Sequence, residues 1–263
     1  MKKASLVIFS IIAVGILCFA GTVSAAKAGY SVGNFQGTEI TADGLAGAGE
    51  WSDSFGDWLY DGWTKTTSII NTKFEMTTGI MDQWKIEVLS DTTNDAGDAF
   101  MFSFCGAQDN AMTPQAADDV LVNYTRSGTV IYRGTGTGWA PDAAIVLGSN
   151  VIVASSMAAS PASATPHWII ELKFDKSGGI AGTSYNSNVR LAVYDASTKK
   201  TLMWPPVSEK DVPNSWGLCD YSTFAGQSIP EGLTIGVMVL MSAGAVIGGT
   251  RHFRKQPKTK ITV

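Results

Sequence analysis

The sequence predicts an all-β protein, an antiparallel β-sandwich that lies between two terminal segments of different character. Two observations predict this class. No long segment carries a 3.6-residue apolar period, and short runs rich in β-branched and aromatic residues alternate with clusters of turn-forming residues. About eight such runs occur between residues 30 and 228, the predicted domain, and this spacing is typical of a sandwich or barrel.

The first 26 residues have the pattern of a secretory signal peptide. Lys2 and Lys3 precede the apolar run ASLVIFSIIAVGILCFAG, and the small residues of TVSAA follow. A basic start, an apolar stretch and small residues at a cleavage site direct export. We therefore predict cleavage after Ala25 or Ala26, with an uncleaved N-terminal anchor as the alternative.

The C-terminal region has the pattern of a membrane anchor. Leu233 to Thr250 is a run of 18 residues without a charge, just long enough to cross a bilayer. The basic segment RHFRKQPKTK follows, and such clusters stay on the cytoplasmic side. We predict a transmembrane or sorting-signal helix over residues 229–250 and a basic cytoplasmic tail over residues 251–263, with the sandwich held at the cell surface.

The predicted strands can be justified in chain order. In QWKIEVLSD, Trp84, Ile86 and Val88 fall on one face, and Lys85 and Glu87 on the other, which is the two-residue period of a strand. AFMFSFCG is apolar at most positions and should be a central strand. The remaining runs are TSIINTKFEMTTG, DDVLVNYT, GTVIYRGTG, AAIVLGSNVIVASSM, HWIIELKFD and NVRLAVYDAS.

Two connections also have recognisable chemistry. The residues SGT, Ser127 to Thr129, form a tight hairpin turn between two of these strands. The stretch MWPPVSEKDVPNSWG is predicted to be an irregular surface segment, because its three prolines cannot donate to a sheet ladder.

Charge excludes one class of partner. Seven of the 19 Lys and Arg residues lie in the first three positions or after Thr250, so twelve cations face 23 acidic residues in the rest of the chain. This excess of eleven acidic groups argues against nucleic acid or anionic lipid as a partner.

The residues needed for most catalytic sites are missing, so we predict a non-catalytic protein. The chain has two histidines, and His252 lies in the basic tail. His167 follows Pro166 at the start of a predicted strand, which is typical of a structural histidine. No Gly-x-Ser-x-Gly nucleophile elbow occurs, and nothing singles out a carboxylate pair among 23 acidic residues.

One acidic turn has the ligand type that suits Ca²⁺. Asp91, Asn94, Asp95 and Asp98 place four hard oxygen ligands in eight positions before the AFMFSF strand. The invariant Gly and terminal Glu of an EF-hand loop are missing. We predict a structural Ca²⁺ site, with a turn capped by its own Asx side chains as the alternative.

Five of the eight tryptophans lie in predicted loops, where an indole ring can present a flat face to a sugar or another ligand. The predicted ligand-binding residues are Trp58, Trp63, Trp139 and Trp216, with Asp142 as a polar neighbour. The fifth loop tryptophan is Trp204. The alternative is that these rings cover the ends of the sandwich.

The sequence allows two covalent modifications, a disulfide and an N-linked glycan. Cys105 and Cys219 remain after export, where two thiols can pair as a disulfide. Asn123-Tyr124-Thr125 is an N-glycosylation sequon.

The segment ITADGLAGAGEWSDSF resembles the opening of the DOMON-like β-sandwich families, which include family 9 carbohydrate-binding modules. Their usual signature is a short strand, Asp-Gly and then Glu-Trp, here Asp43, Gly44, Glu50 and Trp51. The resemblance continues through the acidic turn to Tyr194, in the manner of archaeal surface proteins. It implies a sandwich that binds sugar or haem, with Glu50 and Trp51 pinning the N-terminal segment.

The resemblance also indicates which functions and which processing to expect. Carbohydrate binding is the leading hypothesis, and a structural cell-envelope or adhesion protein is the alternative. A haem-binding electron-transfer module, with His167 and Met101 or Met112 as axial ligands, is a third. IPEGLTIGVMVLMSAGAVIGGTRHFRK resembles archaeal C-terminal sorting tails, on which a sorting enzyme would act.

Overall fold

The computed structural model describes residues 30–76, 80–107, 111–115, 118–176 and 186–221. The predicted signal peptide, membrane segment and basic tail lie outside these ranges. Within them no helix is long and apolar enough to cross a bilayer. The elements are one 3-10 turn (Pro213–Ser215) and the strands β1 (Ser31–Gly33), β2 (Phe55–Asp61), β3 (Thr64–Glu75), β4 (Met81–Val88), β5 (Ala99–Cys105), β6 (Asp119–Thr125), β7 (Gly128–Gly134), β8 (Trp139–Pro141), β9 (Val151–Ser160), β10 (Ser163–Asp175), β11 (Ser187–Asp195), β12 (Lys200–Trp204) and β13 (Gly217–Asp220).

The strands hydrogen-bond in one continuous order, β8-β7-β6-β5-β11-β12-β2-β3-β4-β10-β9. Strand β13 joins this path through β11 and also pairs with β1. The β1–β13 pair is parallel. All other strand pairs in the described ranges are antiparallel.

Contacts between distant strands show that this sheet curls over on itself. Four strands separate β5 from β4 in the sheet, yet the ring centroids of Phe102 and Trp84 lie 5.4 Å apart. The rings of Phe104 and Phe174 are 4.9 Å apart in the same way, between β5 and β10. Aromatic side chains from two layers therefore fill one core, and the predicted all-β sandwich is confirmed.

The alternation of β-prone runs with turn-forming residues predicted most strands at the correct positions. Trp84, Ile86 and Val88 are all fully buried on the inner face of β4, as their spacing predicts, and AFMFSFC is a central strand between β6 and β11. The predicted run from Ala143 to Met157 is strand only from Val151 onward, because its first half is a series of turns.

Five strands were missed, namely β1, β2, β8, β12 and β13. Most are short, and their Gly, Pro and polar residues resemble turns, so pairing with neighbours rather than local propensity makes them extended. As a result three tryptophans assigned to loops lie on strands, Trp58 on β2, Trp139 on β8 and Trp204 on β12. Trp204 is fully buried.

The segment between β1 and β2 covers the charged face of β4 and of its neighbour β10, where Glu171 lies opposite Lys85. Trp51 Nε1 donates to Glu171 Oε1 at 3.0 Å. The other oxygen of Glu171 accepts from the backbone N–H groups of Asp43 and Gly44 at 3.1 and 3.0 Å. Glu50 accepts from the backbone N–H of Gly47 at 3.1 Å. Trp51 therefore pins the N-terminal segment to the sandwich, as the resemblance implies, whereas the Glu50 carboxylate bonds within that segment.

The disulfide that the sequence allows is not formed, and both cysteines are buried thiols. Cys105 lies opposite Asn188 on one side of β11, and Cys219 lies opposite Ser187 on the other side. Two strand spacings separate their backbones by about 10 Å. A disulfide needs Cα atoms within about 7 Å, so the topology keeps the thiols apart.

Candidate ligand-binding and cation sites

The structure brings together two of the four predicted ligand-binding tryptophans. The rings of Trp139 and Trp216 are nearly parallel, at 9°, with their centroids 6.4 Å apart. Trp216 is fully buried, whereas Trp139 is half-buried. Trp216 therefore serves as the support behind Trp139, and Trp139 carries the accessible aromatic surface.

Hydrogen bonds fix both rings. Trp139 begins β8 at the edge of the sheet, and its Nε1 donates to Asp211 Oδ1 at 2.8 Å. Trp216 follows the 3-10 turn, and its Nε1 donates to the carbonyl of Glu209 at 2.8 Å. The proline-rich segment that follows β12 thus supplies a partner for each indole, which holds the aromatic surface in one orientation.

A buried cation that the sequence reading missed lies next to this pair. Arg190 faces away from the core on β11, directly opposite Ser103 on β5. Its Nε donates to the carbonyl of Ser208 at 3.2 Å. Burial lowers the pKa of Arg190 to about 10, and the nearby Asp211 carboxylate, the partner of Trp139, opposes that shift.

Several polar atoms on this outer face are buried without a hydrogen-bond partner among the described residues. They include Arg190 Nη1, Ser103 Oγ and both amide atoms of Asn188. Since buried polar groups are normally satisfied, these atoms can still form hydrogen bonds with water or with a hydroxyl-rich ligand. The single arginine in the apolar strand NVRLAVYD is the sequence feature that could have indicated a buried cation. It was not predicted because an arginine on a strand more often faces solvent.

The other two tryptophans lie on the β2–β3 hairpin. Trp58 is 41% exposed and Trp63 is 65% exposed. The Lys65 ammonium lies 2.9 Å from the centre of the Trp58 ring, a cation–π contact. Five strands separate β2 from β8 in the sheet, so these rings belong to a different part of the sheet from Trp139.

Asp142 closes the end of β8. Its Oδ2 accepts from Arg133 Nε at 2.9 Å, and its Oδ1 accepts from the backbone N–H of Ala144 at 2.8 Å. Although burial acts to raise the pKa of Asp142, these hydrogen bonds hold it below its usual value. Asp142 is thus a carboxylate engaged in shaping the turn beside Trp139.

The acidic turn contributes two of its four predicted ligands to a buried carboxylate cluster. Oxygen atoms of Asp91, Asp98 and Asp195 all lie within 4.8 Å of one another. Asp195, at the end of β11, was not predicted. Arg126 Nη2 donates to Asp98 Oδ2 at 3.1 Å, so three carboxylates face one guanidinium. If all are ionised, the cluster has two uncompensated negative charges.

Asp91 is the member of the cluster that is not satisfied. It is 1% exposed, and its Oδ1 accepts from the backbone N–H of Thr93 at 3.1 Å. Its Oδ2 is buried without a hydrogen-bond partner among the described residues. Burial raises the pKa of Asp91, and the charges of Asp98 and Asp195 raise it further. Hard oxygen donors with a double negative charge fit Ca²⁺.

The remaining members of the acidic turn point elsewhere. Asn94 is exposed, and Asp95 Oδ2 accepts from Thr93 Oγ1 at 2.5 Å. A second cluster, of Cys105, Asp118 and Asp119, lies where β5 ends and β6 begins, and there the Cys105 thiol and the Ala107 backbone N–H both donate to Asp118. These bonds are those of a capped turn.

His167 is 1% exposed and is held by the polypeptide at both ring nitrogens. Nε2 lies 3.0 Å from Glu87 Oε2, and Nδ1 lies 2.8 Å from the carbonyl of Thr165. Burial alone would raise the pKa of Glu87, but hydrogen bonds from Lys85, Ser160 and His167 hold it below its usual value. This is the arrangement of a histidine that stabilises the fold.

The sequon residue Asn123 lies within β6, half-buried, between Met101 on β5 and Val130 on β7. Its glycosylation stays a prediction.

Comparison with known proteins supports the fold. No family model matches the chain, and no curated protein matches it. A solved family 9 carbohydrate-binding module from Caldicellulosiruptor kristjanssonii, in complex with cellotriose, has a TM-score of 0.50 at 12% identity, covering 76% of this chain and 97% of that one. A structure with the same description, in complex with glucose, has a TM-score of 0.47 at 13% identity, covering 76% and 100%. The first likeness agrees with the sandwich that the sequence resemblance implies.

Proposed function

We propose that this chain is a non-catalytic carbohydrate-binding domain that is exported and held at the cell surface. The observation that carries the proposal is the Trp139–Trp216 pair. An indole whose orientation is fixed by a parallel ring and a hydrogen bond offers the flat apolar surface on which the C–H face of a sugar packs. The likeness to a module solved with cellotriose supports the same ligand class.

Polar groups around the aromatic surface supply the rest of a sugar site. Asp211 holds the Trp139 indole and lies close enough to Arg190 to affect its pKa. A carboxylate accepts from sugar hydroxyl groups and a guanidinium donates to them. Trp139 would provide the stacking surface, and Asp211 and Arg190 would provide orientation.

The localisation is proposed on sequence grounds. The basic and apolar start of the chain supports export. The uncharged run from Leu233 to Thr250 and its basic flank support a membrane anchor or a sorting signal. A binding domain held in this way would attach the cell to glycans or retain them near its surface.

We further propose Ca²⁺ as a structural ion at Asp91, Asp98 and Asp195. Bound there, it would neutralise the excess charge and give Asp91 Oδ2 a partner. Its role would be to fix the turn before β5 against the end of β11, without contact to the sugar.

The test is glycan binding by the purified full-length chain. A glycan array followed by calorimetric titration, with cellotriose among the ligands, should show binding that Trp139→Ala weakens by roughly 30-fold, because losing an aromatic anchor costs about 2 kcal/mol. Trp139→Phe keeps an aromatic face without the bond to Asp211, and it should lose less.

Two outcomes would contradict the proposal. If Trp63→Ala abolishes binding while Trp139→Ala does not, the site lies on the β2–β3 hairpin. If the chain binds no glycan but self-associates through its folded domain, the cell-envelope or adhesion hypothesis replaces this one.

A further inference from the structure

A cavity of about 350 Å³ lies on the charged face of β3 and β4, away from the Trp139–Trp216 pair. Its walls include Ile69 and Asn71 from β3, Lys85 and Glu87 from β4, and Trp51 from the N-terminal segment. Exposed Ala162, in the turn between β9 and β10, lies at its rim. This volume is at the lower end of small-molecule sites, so it suits a ligand of about one sugar unit.

The cavity wall contains a buried pair of opposite charges. Lys85 is 5% exposed and Glu87 is fully buried. The Lys85 ammonium contacts Glu87 Oε1 as an ion pair. The other carboxylate oxygen, Oε2, is already engaged by Ser160 and His167.

This pair has hydrogen-bonding capacity that its own contact does not use. Glu87 Oε1 is buried, and the partner that the described residues give it is the Lys85 ammonium. An ammonium has three N–H donors, and a carboxylate oxygen accepts more than one bond. Because buried polar atoms are normally satisfied, the remaining donors of Lys85 and lone pairs of Glu87 favour a polar partner in the cavity that both residues line.

The two opposite charges in the cavity wall favour a neutral ligand that carries hydroxyl groups. A hydroxyl group can accept from Lys85 and donate to Glu87 at the same time, and neighbouring hydroxyl groups on a pyranose can do so side by side. Glu87 would repel a carboxylate ligand, and Lys85 would repel an amine. The Asn71 amide offers one more polar contact, while Ile69 and Trp51 offer apolar surface.

We propose that this cavity is a second ligand site, which binds one neutral sugar unit through its hydroxyl groups at Lys85 and Glu87. It goes beyond the proposed function because it shares no residue with the Trp139–Trp216 pair. A ligand of about a dozen heavy atoms in so small a site should bind with a dissociation constant on the order of millimolar.

The test is a methyl NMR titration of the full-length chain labelled at isoleucine δ1 methyl groups, with the Ile69 signal assigned through Ile69→Val. D-Glucose should shift the Ile69 signal saturably and leave that of Ile70, in the core, unchanged. The shift should persist in Trp139→Ala, which separates this site from the first one. Ala162→Trp should abolish it by filling the rim, whereas Ala96→Trp, at another exposed alanine, should not.

Asn71→Leu should weaken the response at least fivefold, and it decides the matter if Ala162→Trp does not fold. The proposal is overturned if glucose at about 100 mM gives no saturable shift, since a site with a dissociation constant on the order of millimolar would be nearly filled at that concentration. It is also overturned if the shift survives both Ala162→Trp and Asn71→Leu, or if glucuronate or glycine binds as tightly as glucose. Loss of oligosaccharide binding with an intact Ile69 response would contradict the proposed function alone.

Discussion

At the residue scale, Asp91 is the clearest case of a side chain whose surroundings demand a partner. It is buried beside two other carboxylates, and one of its oxygens has no hydrogen-bond partner in the part of the chain that the structure describes. Two states relieve this arrangement, a bound cation or a proton on Asp91. Proton binding is favoured by the raised pKa of Asp91, and cation binding by the net charge of the cluster.

Thermal unfolding distinguishes these states. If Ca²⁺ binds the folded chain, adding it at about 100 times its dissociation constant should stabilise the fold by about 2.7 kcal/mol, which raises the melting temperature of a domain of this size by roughly 5–10 °C. A chelator should reverse the shift. Differential scanning calorimetry of the full-length chain at neutral pH measures it.

Matched variants locate the ion. Asp91→Asn should remove the response to chelator. Asp95→Asn, which changes the neighbouring carboxylate that accepts from Thr93, should keep it. No response in the unchanged protein would mean that Asp91 carries a proton and that the turn needs no metal.

At the scale of elements, the segment from Asp43 to Trp51 depends on a close approach of backbones. Gly44 has φ of +80°, and a Cβ added there would lie 2.6 Å from the backbone carbon of Ser155 on β9. The carbonyl of Gly44 also accepts from Ser156 Oγ at 2.6 Å. A side chain at position 44 would push the segment off β9, in addition to straining the backbone.

A pair of glycine substitutions separates these two effects. Gly49 has nearly the same φ, +82°, but open space around it. Gly49→Ala should lower the free energy of unfolding by about 1 kcal/mol, the cost of the left-handed conformation alone. Gly44→Ala should cost at least about 2 kcal/mol more, because backbone atoms cannot move aside cheaply.

Chemical denaturation followed by circular dichroism measures both changes. Equal losses for the two variants would show that the approach to β9 is not what holds this segment.

At the scale of the whole molecule, a buried polar cluster joins the first and last described strands, β1 and β13, to β4. Asn34, just after β1, donates to Asp82 Oδ1 at 3.3 Å, and Tyr221, just after β13, donates to Asp82 Oδ2. The Lys176 ammonium lies 3.7 Å from the centre of the Tyr221 ring. Burial raises the pKa of Asp82 to about 7, although Lys176, Tyr221 and Asn34 each act to lower it.

This raised pKa predicts how stability depends on pH. The carboxyl releases its proton near pH 3.8 in the unfolded chain, but only near pH 7 in the folded one. Between these values the folded state holds the extra proton, so the free energy of unfolding should fall as pH rises from about 4 to 7, by a few kcal/mol at most, and level off above that range. Asp82→Asn should flatten this slope.

Denaturation at a series of pH values tests the effect. Asp61→Asn, at an exposed carboxylate paired with Lys200, should keep the slope. An unchanged slope in Asp82→Asn would assign the pH dependence to other groups.

The amino-acid sequence by itself determined the fold class and most strand positions. Trp84, Ile86 and Val88 could be assigned to the core because a strand buries every second residue, a property that a short segment carries alone. The acidic turn and the candidate tryptophans were also visible as residue types. In contrast, β2 and β12 were missed because their extended form comes from pairing rather than from local preference.

Only the tertiary structure decided which residues meet. Asp195 joins Asp91 because β11 pairs with β5, and Trp216 supports Trp139 because the segment after β12 reaches the β8 edge. The same strand order keeps Cys105 and Cys219 on either side of β11. Proximity across about 80 to 110 positions depends on the order of strands in a curled sheet, and no local pattern of residues records that order.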